Sequence, residues 1–260
     1  MAPADVSRAA EAIRRLRAGR HLLLLLDFDG TLTEFHPDPE TVELPDARRA
    51  LLLQLSTRPD VTIGIVSGRR LADVRRRTQL NARTYCAGLH GLEIEGPGVS
   101  FVHPDATRTL STIRQLRAAL ASELAPFPGV FIEDKHLSIA AHYREASAED
   151  AARVPAIVER HVRPLVESGL LKMMEGACVL EVLPNIDWHK GSAVAWIREL
   201  VAAEHEVVPV YIGDDVTDLD AFQAVRGAGL AIAASPKVAG ADLYVDGPAE
   251  VEQLLRELAA

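Results

Sequence analysis

The sequence predicts an α/β fold in which strands and helices alternate around a parallel sheet, with an α+β unit inserted between two parts of it. Short apolar runs that end in acidic, glycine or hydroxyl residues are separated by stretches with helical spacing of apolar residues. This alternation favours a parallel sheet with right-handed crossovers. In the middle of the chain the order changes to helix, two strands, helix and two strands. That change predicts a second unit.

Three apolar runs are predicted to be the central strands: Leu22–Leu26, Val61–Val66 and Val207–Ile212. Each run is too short for a helix and is nearly continuous in hydrophobicity, as in a strand buried on both faces. Pro209 counts against a central position for the third run, because proline lacks the N–H group that a central strand uses. The helices predicted between the strands include Ala47–Leu55, Leu71–Thr78 and Ala193–Ala203.

The inserted unit is predicted to span residues 105–185, with residues 1–104 and 186–260 forming the core domain. Its predicted elements, in order, are a helix, two strands, a helix and a hairpin: Thr107–Leu124, Val130–Ile132, Leu137–His142, Ser147–Val166, and Leu170–Met174 with Cys178–Val182. Pro155 and Pro164 count against a continuous second helix. We interpret the insertion as a cap domain that closes over the core.

Composition limits the partners of the chain. It has 260 residues and a formal net charge of −9, whereas nucleic-acid and anionic-membrane binding both need a basic surface. Leu22–Leu26 is far too short to span a membrane. Cys86 and Cys178 lie among apolar residues, as expected of thiols in a reducing compartment. With no signal peptide predicted, the expected location is cytoplasmic.

Acidic residues follow two of the predicted strands: Asp27 and Asp29 follow the first, and Asp214 and Asp215 follow the third. Functional residues of parallel sheets gather at these carboxyl ends. Neighbouring carboxylates repel unless a divalent cation lies between them or one is protonated. An all-oxygen donor set favours Mg²⁺ over zinc. A turn or helix cap is the alternative for the first pair, and Asp218 is expected to be a helix cap.

A serine and a lysine also lie at predicted element ends. Ser67, with Gly68 and Arg69, follows the second strand, where a hydroxyl and free amides can bind a phosphate-sized anion or simply cap the helix. Lys190 supplies a positive charge near a helix start, although most lysines are solvated surface residues. The functional interpretation depends on these features occurring together.

Several strings resemble known motifs. Asp27-Phe28-Asp29-Gly30-Thr31, Ser67, Lys190 and Gly213-Asp214-Asp215 resemble the four-motif signature of the haloacid dehalogenase superfamily. Further strings resemble one branch, the trehalose-6-phosphate phosphatases: Ser67-Gly68-Arg69, Gly88-Leu89-His90-Gly91-Leu92-Glu93, Ile132-Glu133-Asp134-Lys135, Leu180-Glu181-Val182 and Gly213-Asp214-Asp215-Val216-Thr217-Asp218. The resemblance implies a Rossmann-like parallel-sheet hydrolase core with an inserted α+β cap domain. It also implies an Mg²⁺-dependent trehalose-6-phosphate phosphatase of trehalose biosynthesis.

The resemblance assigns roles to the residues of the core. It implies that Asp27 is the nucleophile, that Asp29 is the general acid and base, and that Ser67 and Lys190 bind the transferring phosphoryl group. Asp27, Asp29 (through its backbone carbonyl) and Asp214 are implied to hold Mg²⁺. The remaining acid of the implied metal site, Asp215, is expected to orient either Lys190 or a metal-bound water.

The substrate-binding residues implied by the resemblance come from both parts of the chain. Glu133, Lys135 and Glu181 match cap positions that bind sugar hydroxyls, and Arg69 and His90 are expected to assist from the core. Without the resemblance, Glu133 and Lys135 would be interpreted as a surface ion pair in a turn.

Other functions stay open at this point. A related capped phosphatase acting on sucrose phosphate or mannosyl phosphoglycerate would share the core chemistry, as would a phosphosugar mutase. A non-catalytic sugar-phosphate sensor would bind without turnover. A receiver domain also combines acidic strand ends with a lysine, but it would be about half this length and would have no use for the insertion.

Overall fold

The structure, a computed structural model, describes residues 6–34, 36, 39–176 and 178–260. The chain divides into two compact units, Met1–Phe101 with Trp188–Ala260, and Val102–Asp187. The first contains a large mostly parallel sheet and the second a small antiparallel one.

The elements are numbered in chain order. The strands are β1 His21–Leu26, β2 Val61–Val66, β3 Tyr85–Gly88, β4 Glu93–Gly96, β5 Val99–Val102, β6 Phe131–Asp134, β7 Ile139–His142, β8 Leu171–Gly176, β9 Val179–Pro184, β10 Val207–Gly213, β11 Leu230–Ala233 and β12 Leu243–Tyr244. The helices are α1 Val6–Arg17, α2 Asp46–Ser56, α3 Leu71–Thr78, α4 Pro104–Arg108, α5 Leu110–Leu124, α6 Ala148–Glu167, α7 Lys190–Ala202, α8 Leu219–Val225 and α9 Gly247–Ala259. The three predicted central strands are confirmed to within one residue at each end.

The strands of the larger sheet lie in the order β12-β11-β10-β1-β2-β3-β4-β5. Neighbouring strands from β12 to β3 are parallel, whereas β4 runs antiparallel to β3. Because β1 lies between β10 and β2, the carboxyl ends of these three strands are adjacent. The residues that follow them are thereby brought to one edge of the sheet.

The leucines of β1 alternate between two apolar layers. Leu22, Leu24 and Leu26 pack with side chains of α1, α2 and α9 on one face. Leu23 and Leu25 pack with α7 and α8 on the other. A slip of one residue would exchange the two sets, so this packing holds the strand and the residue that follows it in register.

Pro209 lies inside β10, despite the expectation that proline disfavours a central strand. The β10–β11 ladder begins only at Val210, so at Pro209 the strand pairs with β1 alone. Proline is tolerated there because the β10–β11 ladder does not include residue 209.

The second unit has a four-stranded antiparallel sheet in the order β6-β7-β9-β8. Side chains of α5 and α6 pack on one face, against residues such as Ile139 and Leu180. Because side chains alternate along a strand, the opposite face carries Glu133, Ala140 and Glu181, which are register partners across β6, β7 and β9. This row is called the Glu133–Glu181 row.

For the helices of this unit, the structure corrects one prediction and confirms another. The stretch predicted as one helix is divided at Thr109 into α4 and α5. The second helix, α6, continues through Pro155 and Pro164 without interruption. Burial of one apolar stripe outweighs the cost of the prolines; the stripe comprises Val154, Val158 and Val162.

Candidate active site

A buried ion pair lies at the carboxyl end of β1. Asp27 follows this strand directly, and its side chain is only 6% exposed. Its Oδ1 lies 2.9 Å from Nζ of Lys190, the first residue of α7. The same Nζ lies 2.7 Å from Oδ1 of Asp218. The ammonium group therefore fixes two buried carboxylates at once.

Three carboxylates converge at this point. Oxygen atoms of Asp27, Asp214 and Asp218 all lie within 4.8 Å of one another. Asp214 follows β10, and the hydroxyl of Thr31 donates to its Oδ1 at 3.0 Å. The predicted approach of Asp27 to Asp214 from separate strands is thus present in the structure.

A glycine makes this approach possible. Gly30 has φ +77°, and a Cβ atom at this position would lie 2.1 Å from Oδ2 of Asp214. A side chain here would be strained by the backbone conformation and would also displace the carboxylate. Glycine at position 30 therefore allows the two acidic strand ends to meet.

Asp218 does more than cap a helix. Its Oδ1 accepts hydrogen bonds from Lys190 Nζ at 2.7 Å and from the Tyr211 hydroxyl at 2.6 Å. Its Oδ2 accepts from the backbone N–H groups of Asp214 at 3.0 Å and Asp215 at 3.1 Å. Four donors thus occupy the two oxygens, which is the normal capacity of a carboxylate.

The structure corrects one of the two roles expected for Asp215. Its carboxylate is exposed and accepts from the N–H of Val216 at 2.6 Å, and Lys190 is oriented by Asp218 instead. Sequence reasoning missed this function of Asp218. The available signal was its position four residues after Asp214 in the same acidic string.

The electrostatics of this cluster follow from burial. Burial raises the pKa of Asp27 well above its ordinary value, against the opposing charge of Lys190. Burial also raises the pKa of Asp214 to about 6, although the hydrogen bond from Thr31 opposes it. Burial alone would lower the pKa of Lys190, but the charges of Asp27 and Asp218 outweigh it and raise that pKa. One ammonium group faces three carboxylates, and a bound divalent cation would balance this excess.

Asp29 is held by an arginine. Nε and Nη2 of Arg69 each lie 2.7 Å from an oxygen of the Asp29 carboxylate. Nη1 of Arg69 donates to Asp73 at 3.3 Å, and the guanidinium lies 5.5 Å from the centre of the Phe28 ring. Arg69, predicted to bind substrate, therefore contacts the predicted acid and base directly.

Ser67 lies in a tight turn after β2, and its side chain is buried. Its backbone oxygen accepts from the N–H of His90 at 2.9 Å, and its Oγ accepts from the N–H of Arg69 at 3.1 Å. Leu89 and His90 both have positive φ, of 50° and 57°. The His90 ring lies about 3 Å from where a Cβ of Gly68 would be. The positive-φ conformation of Leu89 and His90 thus brings the His90 ring against the predicted phosphate-binding segment, which comprises Ser67, Gly68 and Arg69.

Glu133, Lys135 and Glu181, the cap residues predicted to bind sugar hydroxyls, each contact another side chain of the second unit. Nζ of Lys135 lies 3.0 Å from Oε2 of Glu181, and the Ser138 hydroxyl donates to Oε1 at 2.9 Å. Nε2 of His142 lies 2.8 Å from Oε2 of Glu133. Both glutamates of the Glu133–Glu181 row are thus held by neighbouring side chains.

The model of the family described as Trehalose-phosphatase matches residues 25–240. The chain belongs to the trehalose-phosphatase family. This confirms the resemblance noted in the sequence. The matched range includes every predicted site residue, from Asp27 to Asp215.

Curated relatives in the trehalose-phosphatase family are similar over most of the chain. The trehalose-phosphate phosphatase of Mycobacterium avium (strain 104) is 36% identical over 226 residues, which cover 86% of this chain and 56% of that protein. That of Mycobacterium tuberculosis (strain ATCC 25618 / H37Rv) is 34% identical over 248 residues, which cover 92% and 62%. The chain therefore spans somewhat more than half the length of these relatives.

A solved structure has the same fold. The C-terminal domain of Candida albicans trehalose-6-phosphate phosphatase superposes with a TM-score of 0.79 at 22% identity, covering 100% of this chain and 98% of that one. The predicted α/β class, with a mostly parallel sheet and an inserted α+β unit, is confirmed for this trehalose-phosphatase chain.

Within the described parts of this trehalose-phosphatase chain, we find no helix that is both long and apolar enough to cross a membrane. The cytoplasmic location stays a prediction.

Proposed function

We propose that this chain hydrolyses trehalose 6-phosphate to trehalose and phosphate through an aspartyl phosphate on Asp27, with Mg²⁺ as cofactor. The observation that carries the proposal is the meeting of Asp27 and Asp214 beside Lys190 at the ends of adjacent parallel strands. A carboxylate can act as a phosphoryl-accepting nucleophile. Membership of the family and the names of the relatives support the same reaction.

The reaction has two steps. In the first, an oxygen of Asp27 attacks phosphorus in line, and the bond from phosphorus to the sugar oxygen breaks as Asp29 gives that oxygen a proton. In the second, water attacks the phosphorus of the aspartyl phosphate. Asp29 takes a proton from this water, and phosphate leaves with regeneration of the Asp27 carboxylate.

Lys190 and Ser67 are proposed to hold the transferring group. Lys190 carries a buried positive charge next to Asp27, where it would stabilise negative charge on the phosphoryl oxygens. Asp218 keeps the ammonium group in place and so acts on the reaction through Lys190. Ser67, beside the same strand end, would donate its hydroxyl to a phosphoryl oxygen.

The residues at these strand ends suit Mg²⁺, because their donors are oxygens and carboxylates outnumber the buried ammonium group. Asp27, Asp214 and the backbone carbonyl of Asp29 would hold the ion. Asp215, whose carboxylate is more exposed than those of Asp27 and Asp214, is the further candidate ligand. Asp218 is less suited, since four donors already occupy its oxygens. Bound Mg²⁺ would offset the repulsion between the nucleophile and the substrate phosphate.

The second unit is proposed to act as a cap domain that recognises the sugar through Glu133, Lys135 and Glu181. Charged groups suit this task because each can bond more than one hydroxyl. Arg69 and His90 are proposed to assist from the first unit. The bonds of Arg69 to Asp29 and Asp73 hold its guanidinium group in place.

The test is phosphate release from a substrate panel with Mg²⁺ present and then chelated. We expect trehalose 6-phosphate to be hydrolysed with the highest kcat/KM, chelation to abolish turnover and added Mg²⁺ to restore it. Preference for sucrose phosphate or mannosyl phosphoglycerate would overturn the substrate but not the chemistry. Isomerised product without free phosphate would indicate a mutase, and binding without turnover a sensor.

A further inference from the structure

We propose that His142 is a positioning residue for sugar recognition, which holds Glu133 in the orientation that binds a substrate hydroxyl. The proposal rests on the proposed function and adds a residue to it. His142 ends β7, and its Nε2 lies 2.8 Å from Oε2 of Glu133 on the neighbouring strand β6. A carboxylate oxygen bonded in this way can still accept a hydrogen bond from a sugar.

The imidazole ring is itself held in place. It stacks on the ring of Phe131, with centroids 4.7 Å apart and planes inclined by 8°. Phe131 is the register partner of His142 across β6 and β7, and it lies two residues before Glu133 on the same face of the sheet. The stack restricts rotation of the imidazole, so its Nε2 is directed at Glu133.

The other glutamate of the Glu133–Glu181 row is held in an equivalent way. Glu181 accepts from Lys135 on one oxygen and from Ser138 on the other. Two carboxylates on one sheet face are therefore both oriented before any ligand binds. Orientation in advance reduces the entropy lost on binding, which lowers KM for a ligand that uses those carboxylates.

The second unit contains a matched control. His161 Nε2 lies 2.5 Å from Oε2 of Glu123, which joins α6 to α5 on the helical side of the sheet. The two histidines are similarly exposed, at 22% for His142 and 27% for His161. If a histidine–glutamate pair serves only stability, substitution at either position should have the same effect on kinetics.

The experiment compares His142→Phe, His142→Gln and His161→Phe in the full chain. KM is measured for trehalose 6-phosphate and for p-nitrophenyl phosphate, which has no sugar. Phenylalanine keeps the stack but removes the donor. We therefore expect the KM for trehalose 6-phosphate, divided by the KM for p-nitrophenyl phosphate, to rise about tenfold or more, since about tenfold is the lower end of what a hydrogen bond to a charged group contributes. Glutamine keeps a donor and should restore the ratio to within about threefold of the wild type.

Three results would overturn the proposal: an unchanged ratio in His142→Phe, equal ratios in His142→Phe and His142→Gln, or an equal rise in His161→Phe. Circular dichroism checks folding, and His142→Ala replaces His142→Phe if the latter does not fold. A wild-type enzyme without preference for trehalose 6-phosphate would instead refute the proposed function. The two failures are therefore distinguishable.

Discussion

Asp27 is the residue on which the proposed chemistry depends most directly. Replacing it by asparagine removes the nucleophilic oxygen but keeps the size of the side chain. Lys190 keeps its bond to Asp218, so we expect Asp27→Asn to fold. Phosphate release should fall by about a thousandfold or more. The control is Asp46→Asn, at a carboxylate that is 94% exposed, which should retain wild-type turnover. Activity near that of the wild type in Asp27→Asn would end the nucleophile assignment.

Asp214 should destabilise the metal-free protein at neutral pH. Its pKa rises from an ordinary 3.8 to about 6 on folding. The folded state therefore binds more protons than the unfolded state between these values, and the free energy of unfolding falls as pH rises from 4 to 6. Because Asp214 is partly exposed to solvent, the expected effect is reduced accordingly. We expect the free energy of unfolding of Asp214→Asn to exceed that of the wild type by about 1–2 kcal/mol at pH 7.5 in EDTA. Urea unfolding at several pH values measures this, and the difference should vanish below pH 4. A variant that is less stable at pH 7.5 would contradict the expectation.

The residue types of the site could be predicted from the sequence, but the pairings between them could not. Gly213 to Asp218 contains three acids, and their spacing alone does not say which faces Lys190. The short helical turn Val216–Asp218 decides it, because it brings Asp218 back against the N–H groups of the two preceding acids. Hydrogen bonds between residues far apart in the chain, such as that from Arg69 to Asp29, leave no periodic signal.

At the scale of elements, the turn after β1 should tolerate only glycine at position 30. Alanine there would carry the strain of a positive φ and would push the Asp214 carboxylate away. We expect Gly30→Ala to raise the Mg²⁺ concentration for half-maximal activity about tenfold or more, since a shift of about 1 Å in a ligand set is costly. The control is Gly98→Ala, with φ +70° and nothing within 4 Å of the added Cβ. Gly98→Ala should lower the free energy of unfolding by about 1 kcal/mol, which is the cost of the strained backbone, and should leave the Mg²⁺ requirement unchanged. An unchanged Mg²⁺ requirement in Gly30→Ala would contradict this explanation.

The central strands and the helix α3 were predictable because burial on one or both faces leaves a clear pattern. Two short strands in the outer parts of the larger sheet were not. β4 has the sequence Glu-Ile-Glu-Gly, with one apolar side chain, and β12 is only two residues long. The break at Thr109 was also missed, since apolar spacing continues into α5. Tertiary contacts decide such details.

For the whole molecule, the division into two units determines how Mg²⁺ should affect unfolding. Each unit has an apolar core of its own, so unfolding need not be a single transition. Asp27 and Asp214 both belong to the first unit, and only the state in which that unit is folded brings their carboxylates together. A ligand that binds only the folded state stabilises it by mass action.

At a free Mg²⁺ concentration of about 100 times Kd, this stabilisation is about 2.7 kcal/mol. For a unit of this size the melting temperature should rise by roughly 5–10 °C. Calorimetry in EDTA and in Mg²⁺ measures the shift, with Asp214→Asn as the control because it lacks one proposed ligand. The wild type should gain stability from Mg²⁺ while the variant, more stable without metal, should gain little. An equal gain in both proteins would mean that the ion binds elsewhere, and the proposed metal site would then be wrong.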